Sequence, residues 1–212
     1  VKILEVEGLA FKDLNRNDTL DLYEDWRATP EDRARDLASR ISIDEISGLM
    51  LYSMHQSIPG DAAVGRFDEC SYNDTTLEAS GLKSSDLTDQ QRKFLEEDHV
   101  RAVLITSVES PEVAAQWNNN VQAFVEGMGH GIPANNSSDP RHEATATAEY
   151  NYGSGGEISI WPLSLGIAAT FDAEVMKQFG RIASREYRAL GITTALSPQV
   201  DLATDPRWTR FN

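Results

Sequence analysis

From Asp13 to Glu24 the chain reads Asp-Leu-Asn-Arg-Asn-Asp-Thr-Leu-Asp-Leu-Tyr-Glu, with oxygen-bearing residues at loop positions 1, 3, 5, 7, 9 and 12. A turn whose alternate residues point inward can wrap such oxygens round one hard cation, as a calcium loop does. Asp13, Asn15, Asn17 and Asp21 would converge through their side chains. Thr19 would offer its backbone carbonyl, and Glu24 would bind with both carboxylate oxygens. Leu20 supplies an apolar anchor at position 8, while Asp18 stands where glycine usually makes the sharp turn. No helical pattern precedes the loop, which argues against a paired EF-hand and for a structural Ca2+, not a regulatory one. The same residues also read as a solvated Asx-rich turn ahead of a helix.

Two other stretches carry groups that could grip a polyhydroxylated ligand. Ile132-Pro-Ala-Asn-Asn-Ser137 reads as a strand ending in polar residues, and Ser138-Asp-Pro-Arg-His142 follows it. A carboxylate at that strand end, Asp139, can accept one hydrogen bond per oxygen from neighbouring sugar hydroxyls. A helix-capping aspartate or an ion pair with Arg141 accounts for the same residue. Near the end, Asp205-Pro-Arg-Trp-Thr-Arg210 holds two arginine forks able to bind hydroxyls or to hold a carboxylic acid in place. Arg207 and Arg210 could instead only bridge to Asp201 or Asp205. His142 has no nucleophile motif nearby, so a Ser-His-Asp reading has little support. Neither common glycine-rich phosphate cradle occurs.

Helical and strand patterns alternate along the chain, which predicts α/β architecture. Thr29-Pro30-Glu31-Asp32 opens a helix with a hydroxyl cap, a proline at the first position and acids in the first turn. Ala34, Leu37, Ala38 and Ile41 recur on its apolar face. Ser42-Ile-Asp-Glu45 and Thr88-Asp-Gln-Gln91 are capping boxes that start two more helices. A strand is expected over Ala102–Thr106 and a helix from Ser110-Pro111, with Val113, Ala114, Trp117, Val121, Phe124, Val125 and Met128 on one face. Another helix spans Asp172 to Leu190 and stops at Gly191, and a strand covers Thr193–Val200. Ser53–Leu87 and Glu143–Ile160 lack periodicity and read as long loops, functional or disordered.

The chain has 212 residues, 40% of them apolar and 25% charged, which suits a globular protein with a good core. Its formal charge of −15 argues against nucleic acid as a partner. No apolar run approaches the length of a membrane span. The lone Cys70 excludes an internal disulfide and has no zinc-type spacing around it. The chain begins at Val1, so any signal peptide is expected to have been trimmed or to lie outside it. Asn17-Asp-Thr, Asn73-Asp-Thr and Asn136-Ser-Ser are glycosylation sequons if the source is eukaryotic.

Several of these motifs, in this order, resemble the N-terminal barrel domain of glycoside hydrolase family 3, which includes β-glucosidases and related exo-glucosidases. Phe11-Lys-Asp-Leu-Asn with Leu20-Asp-Leu-Tyr-Glu-Asp-Trp-Arg27 is similar to the leader of one bacterial branch. Ile41-Ser-Ile-Asp-Glu-Ile-Ser-Gly-Leu-Met50 resembles its first-helix motif, with Ile46 where lysine is usual. Asn119-Asn-Val-Gln-Ala123, Trp161-Pro162, Leu165-Gly-Ile-Ala-Ala-Thr170 and Arg185-Glu-Tyr-Arg-Ala-Leu-Gly191 resemble the same branch. Asp205-Pro-Arg-Trp-Thr-Arg210 carries the most specific match, with Thr209 in place of glycine.

The resemblance implies the N-terminal part of a (β/α)8 TIM-type barrel, incomplete in this chain. Residues 1–28 would form a leader with the EF-hand-like calcium loop, and residues 29–212 the first portion of the barrel. It implies a retaining, exo-acting β-glycosidase that hydrolyses terminal β-linked glucosyl residues of an oligosaccharide or β-glucoside. Asp139 matches the family's substrate-binding aspartate and Arg210 the arginine lining the same subsite, with His142 and Arg207 as second-rank candidates. The nucleophilic aspartate and acid/base glutamate would lie beyond Asn212, so this chain alone is expected to be inactive and no cofactor is needed for catalysis. A secreted or periplasmic location is the family expectation. A non-catalytic, calcium-stabilised carbohydrate-binding module is the alternative.

Overall fold

The computed structural model describes residues 1–60, 70–138, 158–162, 164–196, 204, 205 and 207. Its first element is an antiparallel hairpin of β1 (Lys2–Val6) and β2 (Leu9–Asp13). Both loop residues, Glu7 and Gly8, have positive φ, as a two-residue turn matched to strand twist requires. Phe11 is buried against Trp26 at 5.5 Å between ring centroids, and the Arg27 guanidinium lies 4.9 Å from the Phe11 ring. The hairpin therefore closes on residues 13–28, a contact that no periodicity in the sequence announced.

Helix starts follow local hydrogen-bonding chemistry closely. α1 (Pro30–Ala38) is capped by Thr29, whose side chain accepts from the Asp32 amide, and α2 (Ile43–Leu49) begins with a complete Ser42/Glu45 capping box. After the short α3 (Leu77–Ser80), α4 (Asp89–Glu96) has the Thr88/Gln91 box. Ser110 caps α5 (Pro111–Glu126), and a short α6 (Ser164–Ala168) precedes α7 (Ala173–Leu190), capped by Asp172 and ended by Gly191 at φ 89°. One expected face is not covered as its spacing predicts. Ala34 and Ala38 of α1 are not buried, and the helix is held instead by polar ties from Arg33 and Asp36 to the Tyr23 backbone.

Four strands form the main sheet: β3 (Tyr52–Ile58), β4 (Ala102–Val108), β5 (Asn135–Ser138) and β6 (Thr194–Ala195). They lie in chain order and every neighbouring pair is parallel. The α/β expectation is therefore met. The sheet is open among the described residues, with β3 and β6 at its edges.

β3, together with the short α3, corrects the reading of Ser53–Leu87 as loop. Its pairing with β4 shifts register twice, between Tyr52 and His55 and between Gln56 and Ser57, which breaks the alternation a strand shows in sequence. β5 starts at Asn135, three residues later than expected. Residues 61–69 and 143–157 of the two expected loops, and residues 197–200 of the expected last strand, lie outside the described residues.

The core lies between this sheet and the helices. Val103 and Ile105 of β4 join Leu95, Trp117, Val121, Val125, Tyr187 and Leu190 in one buried cluster. Burying one such aliphatic side chain contributes about 1.5–3 kcal/mol, so α5 is anchored by its apolar face. Gln91 links three elements: its Oε1 accepts from Thr88 N and from Trp117 Nε1 (3.1 Å), and its Nε2 donates to Gln56 Oε1 (3.2 Å). Among the described residues no helix is long and apolar enough to cross a membrane.

Candidate functional site

β5 and β6 are adjacent and parallel, with Ser137 opposite Thr194 and Ser138 opposite Ala195. The chain segments that leave these strands therefore start side by side at the same, C-terminal, edge of the sheet. β5 is polar yet buried: Asn136 and Ser137 are 0% exposed. Its hydroxyls are satisfied by the neighbouring strand, since Ser137 Oγ donates to Val103 O (2.9 Å) and Ser138 Oγ to Ile105 O (2.7 Å). Tyr52 reaches across β4 to place its hydroxyl 2.9 Å from Ser137 Oγ. Burial at Asn136 also rules out a glycan on the Asn136-Ser-Ser sequon.

Asp139 follows Ser138 directly in the chain. Asp139, His142 and Arg210 lie outside the described residues. Arg207 is described, and its fork closes on Asp205, with Nε 2.9 Å from Oδ1 and Nη2 2.6 Å from Oδ2. The Arg207 hydrogen bonds hold the Asp205 carboxyl below the usual carboxylate range. The local ion pair that the sequence left open for Arg207 is present in this geometry.

The Asp13–Glu24 loop brings its first and last carboxylates into the protein, where Asp13 is 1% and Glu24 4% exposed. Glu24 Oε1 accepts from the amides of Leu14 (2.7 Å) and Asn15 (3.3 Å), and Oε2 from the Asp21 amide (3.0 Å). Asp13 accepts from the amides of Asn17 (3.0 Å) and Asp18 (3.1 Å). Asp21 Oδ2 takes the side-chain amides of Asn15 and Asn17, and its Oδ1 meets Arg40 at 2.9 Å. Thr19 donates through its amide and hydroxyl to Asn17 Oδ1. Among the described residues no three His, Cys, Asp or Glu side chains converge as a metal cluster.

The donor chemistry still fits a hard cation. Neither Asp13 nor Glu24 meets a basic side chain within ion-pair distance among the described residues, so two buried negative charges rest on peptide N–H groups. Asp18 adopts φ 64°, the left-handed conformation for which glycine is usually used. The glycine the sequence lacks is therefore not needed for the turn. A half-turn of the Asn15 and Asn17 amides would present Oδ1 in place of Nδ2.

The loop is seated against the segment that leads into β5. Gly131, at φ 64°, lies so close to Leu14 that a Cβ there would fall 2.8 Å from Leu14 Cδ2. Lys12 pairs with Glu126 at 2.5 Å, and the Tyr23 ring meets His130 edge-on at 6.2 Å. Burial, then the Glu24 charge, pushes the Tyr23 phenol well above its ordinary value. Beside this seat is a cavity of about 320 Å³ lined by Glu45, His99, Arg101 and His130 among others. Arg101 immediately precedes β4, so the cavity lies at the opposite end of the strands from the segment carrying Asp139. The Arg101 guanidinium is taken by the carbonyls of Leu95, Val100 and Ile132, and burial lowers its pKa.

Of the two residues that hold β5, Asn118 was passed over in the sequence and Gln122 entered only within a resemblance motif, with no role assigned. Asn118 sits within the apolar stripe of α5, four residues after Ala114 and three before Val121, and is 1% exposed. Gln122 is its neighbour one turn on. A polar residue in a core stripe was the available signal.

Residues 72–212 match the family model described as the glycosyl hydrolase family 3 N terminal domain. The chain is 37% identical over 211 residues to a periplasmic beta-glucosidase/beta-xylosidase of Dickeya chrysanthemi, covering 99% of this chain and 29% of that protein. It is 32% identical over 212 residues to beta-glucosidase C of Emericella nidulans, covering 97% of this chain and 30% of that protein. A 55-residue stretch, 26% of this chain and 7% of the other protein, is 34% identical to a periplasmic beta-glucosidase of Salmonella typhimurium. The chain thus spans about three-tenths of the length of the first two relatives. Residues 1–71, β3 among them, precede the family-model match, yet nearly all of them fall within the stretch aligned with the Dickeya protein.

Proposed function

The chain belongs to glycoside hydrolase family 3, and from that premise we propose that it is the first portion of a retaining, exo-acting β-glycosidase that removes terminal β-linked glucosyl residues. The observation that carries the reading is the parallel, adjacent placement of β5 and β6. It starts the segment bearing Asp139 and the segment leading to Arg210 side by side. In this reading the strands belong to a (β/α)8 barrel that later chain completes, with residues 1–28 as its leader and 29–212 as its first portion. Active sites of such barrels form at the C-terminal ends of the strands, where both segments begin.

Asp139 accepts hydrogen bonds from two hydroxyls of the terminal sugar, and Arg210 lines the same subsite. His142 and Arg207 stand in second rank, Arg207 because its fork is engaged with Asp205. Retaining cleavage needs a nucleophilic carboxylate and an acid/base carboxyl about 5–5.5 Å apart. Both belong to chain beyond Asn212, so this portion supplies sugar-holding residues and not the cleaving pair. Oligosaccharides and β-glucosides are the substrates, and the beta-glucosidase names of the relatives support that choice. The periplasmic names of two of them support a periplasmic or secreted location. The Asp13–Glu24 loop holds a structural Ca2+ through Asp13, Asn15, Asn17, Thr19, Asp21 and Glu24, which offsets the buried carboxylate charge and takes no part in cleavage.

The deciding experiment is hydrolysis of an aryl β-glucoside by the full-length protein and its Asp139→Asn variant. Turnover by wild type with a severe loss in the variant is expected. A full-length protein that binds β-glucosides without cleaving them would overturn the enzymatic reading.

A further inference from the structure

Asn-Asn-Ser-Ser is an unusual sequence for a buried strand. Hydrophobic alternation normally sets strand register, because a one-residue slip turns every side chain to the other face. β5 has no such pattern, and backbone pairing to β4 and β6 is indifferent to residue type.

We infer that Asn118 and Gln122 of α5 are positioning residues that set the register of β5, and through it the direction in which the chain leaves Ser138. Gln122 grips one residue's backbone from both sides: its Nε2 donates to Ala134 O (2.8 Å) and its Oε1 accepts from Ala134 N (3.1 Å). Asn118, one helical turn earlier, accepts at Oδ1 from the Asn136 side-chain amide. Four helix residues rise about 6 Å and two strand residues about 6.6 Å, so the two anchor points match in spacing. Each anchor rejects a different slip. Moving the strand one way would bring Pro133 to Gln122, and proline has no N–H to donate. Moving it the other way would bring Ser137, too short for the place of Asn136, to Asn118.

Asn118 also ties in the next strand. Its Nδ2 donates to Leu190 O (2.7 Å) at the end of α7, and a Cβ on Gly191 would fall 2.5 Å from Asn118 Cβ. Two residues later the Thr193 amide donates to Asn136 O (2.9 Å). One side chain thus relates β5 to the start of β6. The pairing is not optimised for stability, because Asn136 Oδ1 is buried without a hydrogen-bond partner. Such an orphaned acceptor is costly, and an apolar side chain would remove that cost. A polar side chain at that cost fits a role in placement.

The role in catalysis rests on the proposed glycosidase reading, so the test separates the two in the full-length protein. Asn118→Ala and Gln122→Ala are compared with Asn120→Ala, which removes a bond from the same helix to Ser85 O (2.9 Å) and touches no strand. Asn118→Ala and Gln122→Ala should lower kcat/KM on an aryl β-glucoside by about tenfold to a hundredfold, as expected when a binding group is misplaced. In an Asp139→Asn background the same changes should cost under about threefold, because coupled residues are not additive. Asn120→Ala should lower Tm alone. Asn136→Ser, a milder change that removes one bond, carries the test if Asn118→Ala does not fold. Hydrogen exchange gives a readout independent of turnover: the Ser137 and Ser138 amides should lose protection in Asn118→Ala and keep it in Asn120→Ala. Wild type without turnover sinks the glycosidase reading while exchange still decides the register. Unchanged β5 protection, or kcat/KM losses that add fully to Asp139→Asn, would overturn the inference.

Discussion

Removing Asp13 from the Asp13–Glu24 loop should abolish a calcium-dependent rise in stability. In the structure the Asp13 carboxylate is 1% exposed and accepts from the amides of Asn17 and Asp18. Hydrogen bonds to a charged group contribute about 1.5–3 kcal/mol each, or roughly 3–6 kcal/mol for the pair. Asn17 and Asp18 are themselves exposed, so water recovers part of this, and Asp13→Ala should lose roughly half of it even with chelator present.

Calcium should add a separate effect. At a free concentration of about a hundred times Kd, a ligand that binds only the folded form stabilises by about 2.7 kcal/mol. At roughly 2–4 °C per kcal/mol for a cooperative unit of about 150–250 residues, and less for a larger one, wild type should melt up to about 5–11 °C higher in calcium than in chelator. Asp13→Ala should melt at one temperature in both. Differential scanning calorimetry of the full-length protein, in calcium and in EDTA, measures all four values. Equal shifts in wild type and variant would place calcium elsewhere. No shift in wild type would leave the loop as an Asx-rich turn held by its own amides.

Asp139→Asn keeps the shape of the side chain but turns one acceptor into a donor, so kcat/KM on a β-glucoside should fall by about a hundredfold or more. The loss should be much smaller on a substrate lacking the hydroxyl proposed to bind Asp139, and equal losses on both would make it a structural residue. Arg210→Lys should cost less than Asp139→Asn, because charge survives and only the fork is lost. Residues 1–212 alone should not hydrolyse an aryl β-glucoside above background and should tend to associate through the open edges at β3 and β6. Carboxylate-dependent turnover by that portion would contradict the assignment of the cleaving pair. Asp89 accepts from Ser71 Oγ and the amides of Asp74 and Asn73, contacts that lower its pKa. Its stabilisation is present above the unfolded value near ~3.9 and lost as pH falls through the lower folded value. The stability gap between wild type and Asp89→Asn, measured by urea titration, should therefore shrink as pH falls below about 4, and a constant gap would refute the linkage.

Features whose cause lies within three or four residues were legible in the sequence. Thr29, Ser42, Thr88, Ser110 and Asp172 cap their helices as their neighbours require, because each cap bond joins a side chain to an amide two or three residues away. The register of α7 followed from its apolar spacing, with Ala183, Tyr187 and Leu190 buried. Resemblance, not periodicity, pointed to the family, which the comparisons show, and to Asp139 and Arg210, which lie outside the described residues. β3 escaped because its two register shifts erase alternation. β5 was found as a strand but begins later than expected, since Ile132 and Pro133 look like its apolar start and only pairing with β4 shows where it begins.

The sequence by itself determined where α1, α2, α4, α5 and α7 begin, which faces of the long helices are apolar, and which chemical groups are present. Those properties depend on short-range sterics and hydrogen bonds, which the neighbouring residues specify. Only the tertiary structure decided that β5 lies beside β6, that the Asp13–Glu24 loop sits under Gly131, and that Asp18 takes the turn without glycine. It alone decided that Arg207 faces Asp205 and that Asn118 spans two elements 18 and 72 residues away. Most of these are relations between groups far apart in the chain. Their partners are chosen by what packs and by which buried polar group finds a donor or acceptor, and no local pattern encodes that choice.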